Sequence, residues 1–162
     1  MLTPDYYYTS VLDIDLDDLR RRGIGTLLID LDNTLLPRDS NIVPDEIKKW
    51  AASLRSAGFS ACLVSNNWHE RVVRVAEELG FDLVPKAVKP LPFAFWKALK
   101  RAGAKAGQAA IVGDQLFTDV LGGKMAGITT VLIAPLSSTD LPHTLFLRRI
   151  ERVVLAGRQP LP

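Results

Sequence analysis

Short apolar runs alternate along the chain with longer amphipathic segments. The runs have the length and composition of buried β-strands, and they cover residues 25–30, 60–64, 81–84, 109–112 and 128–134. In the segments between them, apolar residues recur every three or four positions, which predicts helices over 15–22, 44–57, 68–79, 92–102, 117–126 and 145–156. Strands alternating with helices predict an α/β three-layer sandwich with a mostly parallel central sheet.

The same periodicity predicts which helix faces are buried. In the helix over 68–79, the predicted buried face is Val72, Val73, Ala76 and Leu79. In the last helix, one apolar set alternates with one basic set: Phe146, Ile150, Val153 and Val154 against Arg148, Arg149 and Arg152. We expect the apolar set to pack on the domain. The alternative is that the basic helix lies against anionic lipid headgroups. The tyrosines at 6–8 are expected to pack on the domain.

Two carboxylates follow the first core strand directly. Asp30 and Asp32 are two positions apart, so on an extended backbone their side chains point to the same side. Two anions this close repel each other, and a hard dication such as Mg²⁺ would relieve the repulsion. A surface turn would also use Asp and Asn, but here the acids end an apolar strand.

Further polar side chains occur where the later strands end. They are Ser65, Lys89, Asp114 and Asp119. Ligands of open parallel sheets bind beyond the carboxyl ends of the strands, so these groups are expected to meet at one crevice. A nucleophile, a hydroxyl, a cation and metal ligands together suit phosphoryl transfer.

Composition limits the remaining possibilities. The 162 residues correspond to about one domain, predicted as a single domain over 1–162, and a net charge of +2 argues against a dedicated nucleic-acid partner. Cys62, the only cysteine, lies in an apolar run and is interpreted as a buried hydrophobe. There is no signal-peptide pattern and no apolar run of about 18–20 residues that would span a bilayer. A cytoplasmic protein is expected, at most peripheral to the inner face of a membrane.

At these motifs the chain resembles a known family. Asp-Leu-Asp-Asn-Thr at 30–34, Ser65, Lys89-Pro90 and Gly113-Asp114 with Asp119 are similar, in order, to the four motifs of the haloacid dehalogenase (HAD) superfamily. The resemblance covers residues 25–134. It implies a Rossmann-like fold and Mg²⁺-dependent phosphatase chemistry through an aspartyl-phosphate.

The resemblance also implies roles for the site residues. Asp30 would be the nucleophile and Asp32 the general acid and base. Asp30, Asp114 and the backbone carbonyl of Asp32 would hold Mg²⁺. The phosphate-binding residues would be Ser65, Asn66, Lys89 and Thr34, of which Thr34 would also brace the nucleophile loop. Asp119 would orient Lys89 or a metal-bound water.

Some candidate residues keep two interpretations. Lys86 is a rival to Lys89, although Lys89-Pro90 fits the motif better. Arg38 either meets the substrate or is a solvated loop charge. His69 is interpreted as an exposed or capping residue at the start of a helix, and Trp68 as packing at the rim of the site.

A narrower resemblance extends over nearly the whole chain. The Leu-Thr-Pro-Asp opening at 2–5, the segment 13–16 and the segment 113–119 are similar to the subfamily IIIA branch that contains YqeG proteins. That branch is related to phosphatidylglycerophosphate phosphatases. The resemblance implies a phospholipid substrate, but it implies this substrate less strongly than it implies phosphatase chemistry.

The intervals between the motifs are too short for an inserted cap domain. About thirty residues separate Thr34 from Ser65, and about two dozen separate Ser65 from Lys89. An open cleft is therefore predicted. It would suit a large or membrane-borne phosphate ester such as phosphatidylglycerophosphate, or a small soluble metabolite if a neighbouring subunit of an oligomer supplied a lid. A phospho-accepting switch resembling a receiver domain is the alternative function, because receivers also combine Asp, hydroxyl and Lys groups around Mg²⁺.

Overall fold

One parallel sheet organises the fold. The computed structural model describes residues 2–137 and 142–161, except for the side chain of His143. The strands are β1 (Tyr6–Tyr8), β2 (Thr26–Ile29), β3 (Ser60–Val64), β4 (Asp82–Val84), β5 (Ala109–Gly113) and β6 (Thr129–Ile133). Their order is β1-β6-β5-β2-β3-β4, and every neighbouring pair is parallel. The chain leaves β2 in one direction to β3 and later returns on its other side to β5, so a crevice opens at the carboxyl end of β2.

The described helices fill the two outer layers. They are α1 (Leu16–Arg21), α2 (Asp45–Ser56), α3 (Glu70–Leu79), α4 (Phe93–Ala102), α5 (Leu121–Ala126) and α6 (Pro142–Val154). A π-helical turn (Leu116–Val120) precedes α5, and short 3₁₀ turns cover Val11–Asp13 and Ala106–Gln108. Between β2 and β3 the only helix is α2, and between β3 and β4 it is α3, in a part of the chain that is described throughout. The predicted three-layer α/β sandwich without an inserted cap is confirmed.

The core lies on both faces of the sheet. In β2, Leu27 and Ile29 pack into one apolar cluster, whereas Leu28 packs into a second cluster with Phe95 of α4. This division follows from the alternation of side chains along a strand. Cys62 is fully buried in the second cluster, and burial raises the pKa of its thiol to about 12. Cys62 is therefore a packing residue, as predicted.

Two local predictions were incomplete. Residues 6–8 pack on the domain as expected, but they do so as β1, the edge strand beside β6. Adjacent tyrosines give no alternation of apolar and polar positions, so the pattern did not indicate a strand. The buried face of α3 contains Val75 in place of Val73, which is exposed. Val72, Val75, Ala76 and Leu79 follow the spacing of a helical stripe more closely than the predicted set.

The orientation of α6 is the main correction. Its apolar set was expected to pack on the domain, yet Phe146 is 63% exposed and Val153 is 74% exposed. Glu151 is instead buried, and its carboxylate accepts a hydrogen bond from the backbone N–H of Leu116 at 2.7 Å. Polar contacts therefore dock α6, and its apolar side faces outward. Among the described residues, no helix has the length and apolar character needed to cross a membrane.

Candidate active site

Asp30 lies where the central strand β2 ends. Its backbone N–H donates to the carbonyl of Val112 at 2.8 Å, which continues the pairing of β2 with β5 by one residue. The chain then turns at Asn33, whose φ of 61° lies in the left-handed region that Asn tolerates. The buried Thr34 hydroxyl lies 3.2 Å from Asp30 Oδ2 and 3.3 Å from Asp114 Oδ1. Thr34 thus braces the carboxylates from within the protein.

Lys89 joins the carboxylates into one buried network. Its ammonium Nζ donates to Asp30 Oδ1 at 2.8 Å and to Asp119 Oδ1 at 2.7 Å. Burial alone would lower the pKa of Lys89, but the carboxylates of Asp119 and Asp30 raise it above its usual value, so the side chain is cationic at neutral pH. The rival Lys86 lies over the indole ring of Trp68, 5.1 Å from the ring centroid. The structure therefore places Lys89, and not Lys86, beside Asp30.

Three buried carboxylates converge on a space suited to a metal ion. Asp30, Asp114 and Asp119 each offer an oxygen, and these oxygens lie within 4.8 Å of one another. Burial raises the pKa of Asp114 well above its usual value, and the neighbouring Asp30 raises it further. Burial also raises the pKa of Asp119 to about 6, although Lys89 opposes the shift. All-oxygen donors with crowded negative charge fit a hard dication. The Asp32 side chain lies outside this cluster.

Asp119 reaches the cluster because of the π-helical turn and Gly113. The turn carries Asp119 back over the end of β5, where its Oδ2 accepts from the backbone N–H of Gln115 at 3.2 Å. A Cβ atom at Gly113 would lie 2.2 Å from the Asp119 Cγ. Only glycine permits this approach of the carboxylate to the strand.

We expect Gly113→Ala to reduce both stability and turnover. The new methyl group must displace the Asp119 carboxylate, which costs about 1–3 kcal/mol of the free energy of unfolding and moves Lys89 away from Asp30. Denaturant unfolding and steady-state kinetics on a phosphomonoester measure the two effects. Gly107→Ala is the matched control, because a Cβ atom there meets open space. Wild-type turnover in Gly113→Ala would contradict the role of Asp119.

The loop after β3 positions both a hydroxyl and Lys89. The buried Ser65 faces the cavity, and its Oγ accepts from the backbone N–H of Asn67 at 3.1 Å. The Asn66 carboxamide accepts from the backbone N–H of Lys89 at 2.7 Å and donates to the Lys89 carbonyl at 3.4 Å. Asn66 was predicted to bind phosphate, which stays a prediction. In the structure, the hydrogen bonds of its carboxamide fix the backbone of Lys89.

A cavity of about 440 Å³ opens over these groups. On one side lies the loop after β3, and on the other lie Thr144 and Leu147 of α6. The other lining residues are Asp30, Asp32, Arg38, His69, Lys89, Gln115 and Thr118. Arg38, for which the sequence left open whether it meets the substrate or is a solvated loop charge, lines the cavity. His69 is exposed and precedes α3 as its N-cap residue, as predicted.

Sequence reasoning missed Arg71. This side chain of α3 forms an ion pair with Asp32, and both partners are largely buried. The same guanidinium donates to the backbone carbonyls of Ser40 at 2.8 Å and Pro37 at 3.1 Å. Arg71 therefore fastens Asp32 and the loop after β2 to α3. A helical arginine six residues beyond Ser65 gives no motif signal, so only the fold brings it to the site.

Arg71→Ala is expected to lower kcat about 10–100-fold, because Asp32 and its loop lose the group that holds them in place. KM for a small ester should change less, since Lys89 and Ser65 remain. Arg71→Lys should restore part of kcat by keeping the charge on Asp32. Arg74→Ala, an exposed arginine on the same helix, is the control. An unchanged kcat and pH profile in Arg71→Ala would refute the positioning role.

Arg148 differs from its predicted placement. It was expected on the outer basic face of the last helix, yet its guanidinium donates to the carboxylate and the backbone carbonyl of Asp114. It also donates to Glu151 Oε2 at 3.1 Å. A buried carboxylate requires a nearby cation, and this attraction turns Arg148 inward. Arg149 and Arg152 remain exposed, as expected.

Comparison with known proteins agrees with this geometry. A family model described as haloacid dehalogenase-like hydrolase matches residues 12–127, a span that contains every candidate catalytic residue. The chain belongs to the haloacid dehalogenase-like hydrolase family.

Named relatives extend the match. The chain is 35% identical over 154 residues to the probable phosphatase YqeG of Bacillus subtilis, covering 95% of this chain and 90% of the relative. It is 27% identical over 161 residues to phosphatidylglycerophosphate phosphatase 1 of Arabidopsis thaliana, covering 92% of this chain but 46% of that protein. The cobalt-bound deoxy-D-mannose-octulosonate 8-phosphate phosphatase of Haemophilus influenzae shares the fold, with a TM-score of 0.56, 18% identity and coverage of 83% and 88% of the two chains. The chain is thus an enzyme with phosphatases among its relatives.

Proposed function

We propose that the chain is a Mg²⁺-dependent phosphomonoesterase that works through an aspartyl-phosphate on Asp30. One observation carries the proposal: the Asp30 carboxylate shares a buried lysine with Asp119 and lies within reach of Asp114. Such a site offers a nucleophile, a fixed cation for the phosphoryl oxygens and an oxygen donor set for a dication. Membership of a hydrolase family supports the same chemistry.

The proposed reaction has two displacement steps. An Asp30 oxygen attacks phosphorus, the ester P–O bond breaks, and Asp32 gives its proton to the leaving oxygen, so that an alcohol departs. Asp32, now a carboxylate, takes a proton from water, whose oxygen attacks the same phosphorus. The acyl-phosphate P–O bond breaks, and inorganic phosphate leaves with Asp30 restored.

The other site residues bind and orient. Lys89 and Ser65 would grip the phosphoryl oxygens, with Asn66 and Thr34 completing the phosphate site. Arg71 would hold the Asp32 carboxylate over the cavity in the resting site through their ion pair. When the substrate binds, Asp32 would leave this pair and take up a proton, which makes it the acid of the first step. Asp30, Asp114 and the backbone carbonyl of Asp32 would hold Mg²⁺, with Asp119 in support. The ion, when bound, would offset the charge that develops on the transferring group.

The substrate that fits the site best is a large or surface-borne phosphate ester. The segments that join β2 to β3 and β3 to β4 contain one helix each, so neither forms a lid over the cavity. A substrate whose phosphate projects from a larger body suits such an opening. Phosphatidylglycerophosphate is the leading candidate, because a relative carries that activity in its name.

The test is steady-state hydrolysis of phosphatidylglycerophosphate in mixed micelles, compared with p-nitrophenyl phosphate and a set of soluble sugar phosphates. We expect multiple turnovers that require Mg²⁺, stop with EDTA and favour the lipid. A single stoichiometric phosphorylation without turnover would support a phospho-accepting switch instead. Efficient hydrolysis of one sugar phosphate, with none of the lipid, would refute the lipid substrate but not the chemistry.

A further inference from the structure

The outward side of α6 is an apolar surface with nothing packed on it among the described residues. We define the outer face of α6 as Phe146, Ile150, Val153 and Val154, all of which are exposed. The inward contacts of Arg148 and Glu151 fix this orientation, because both side chains bond to groups at the end of β5. A contiguous exposed apolar patch of this kind marks an interaction surface.

A second exposed apolar set lies across the cavity from α6. We define the aromatic rim as Trp68, Val88, Leu91, Phe93 and Trp96, which belong to the loops after β3 and β4 and the first turn of α4. The ring of Phe93 meets that of Trp96 edge to face, with centroids 5.7 Å apart. Val88 has a φ of 54°, a conformation rare for a β-branched residue, and its side chain projects outward.

Both surfaces adjoin the mouth of the active-site cavity. Trp68 stands between Asn67 and His69, and Val88 precedes Lys89; these three neighbours line the cavity. On the other side, Phe146 stands between the lining residues Thr144 and Leu147. The cavity therefore opens between two apolar margins at the carboxyl edge of the sheet.

The charges around these margins indicate what covers them. Arg149 and Arg152 are exposed on α6, and the only acid of that helix, Glu151, is turned inward. The rim segment 85–97 contributes two exposed lysines, Lys86 and Lys97, and no acid, and one exposed acid, Glu70, follows Trp68 at the start of α3. A second copy of the chain would bring arginine against arginine, which is unfavourable. The complementary surface is broad, apolar inside and anionic outside, and tryptophan and phenylalanine favour such an interface.

We propose that the outer face of α6 and the aromatic rim dock together on a lipid bilayer that carries anionic headgroups, so that the cavity opens onto the headgroup layer. The role of this docking in catalysis rests on the proposed function. Docking itself requires no phosphate ester and no turnover.

The test is co-sedimentation of the full chain with sucrose-loaded vesicles of phosphatidylcholine alone, or of equimolar phosphatidylcholine and phosphatidylglycerol. We expect binding to the phosphatidylglycerol vesicles only, weakening as salt is raised. Phe146→Gln combined with Trp96→Gln should lower the partition coefficient at least about tenfold. Arg149→Gln and Arg152→Gln should each lower it about fivefold. Met125→Gln, an exposed apolar residue at the end of α5 on the opposite edge of the sheet, is the matched control.

Three results would overturn the docking proposal. The first is wild-type chain that stays in the supernatant with phosphatidylglycerol vesicles. The second is equal loss of binding in Met125→Gln and in the Phe146/Trp96 variant. The third is a wild-type chain that does not bind vesicles but dimerises with increasing concentration in sedimentation equilibrium, where Phe146→Gln abolishes the dimer. The outer face of α6 would then join two copies of the chain. Circular dichroism and turnover of p-nitrophenyl phosphate check that each variant is folded. Vesicle binding by a chain that hydrolyses no ester would reject the proposed function while supporting docking.

Discussion

Asp30→Asn is expected to abolish phosphomonoester turnover, with a loss of at least about 10⁴-fold, as for removal of a covalent nucleophile. The amide cannot form an acyl-phosphate, whereas its oxygen can still accept from Lys89. The fold should persist, because one charge leaves a cluster in which the carboxylate oxygens of Asp30, Asp114 and Asp119 lie within 4.8 Å of one another. Hydrolysis of p-nitrophenyl phosphate with Mg²⁺ and thermal unfolding measure the two outcomes.

Asp17→Asn is the control for the Asp30 variant, because Asp17 is an exposed acid on α1. It should leave turnover unchanged. Near-normal activity of Asp30→Asn in the presence of Mg²⁺ would show that another residue is the nucleophile. Loss of both activity and the thermal transition would instead assign Asp30 a structural role.

Asp32→Asn is expected to stop the reaction after its first step. Asp30 can still attack a substrate with a good leaving group, since p-nitrophenolate needs no proton to depart. Asparagine cannot take a proton from water, so the acyl-phosphate should persist. The amide oxygen can still accept from Arg71, which would keep the loop after β2 in place. Rapid-quench kinetics should show a burst of about one p-nitrophenol per chain, followed by negligible turnover.

Two controls make the burst interpretable. The double variant Asp30→Asn, Asp32→Asn should give no burst, because the nucleophile is absent. Arg71→Ala should slow both steps without producing a lasting phosphorylated chain, since its Asp32 can still act as a base. Steady turnover in Asp32→Asn at the wild-type rate would remove Asp32 from the mechanism.

The central part of the site was predictable because strand ends are easily recognised in this fold. Asp30, Ser65 and Asp114 each follow a short apolar run, and parallel strands bring such positions to one edge. The strands β2 to β6 and the order of helices followed from the same alternation. Lys89 was identified by its motif, and the structure adds its two carboxylate partners.

Features that depend on long-range contacts were not predictable from the pattern. Arg71 lies 39 positions from Asp32, and nothing local distinguishes it from the neighbouring Arg74. The apolar stripe of α6 indicated a buried face, yet the buried carboxylate of Asp114 and the Leu116 backbone N–H draw in Arg148 and Glu151 instead. The need to satisfy buried polar groups thus outweighed the burial of the apolar stripe.

The most direct measurement of the central claim is the location of the trapped phosphate. Asp32→Asn would be mixed with p-nitrophenyl phosphate and Mg²⁺, quenched in acid, digested and mapped by tandem mass spectrometry. The account predicts one phosphoryl group on Asp30, labile to hydroxylamine as an acyl-phosphate is, and none in the double variant. Phosphate on Ser65 or His69, or a chain that turns over without any phosphorylated residue, would contradict it.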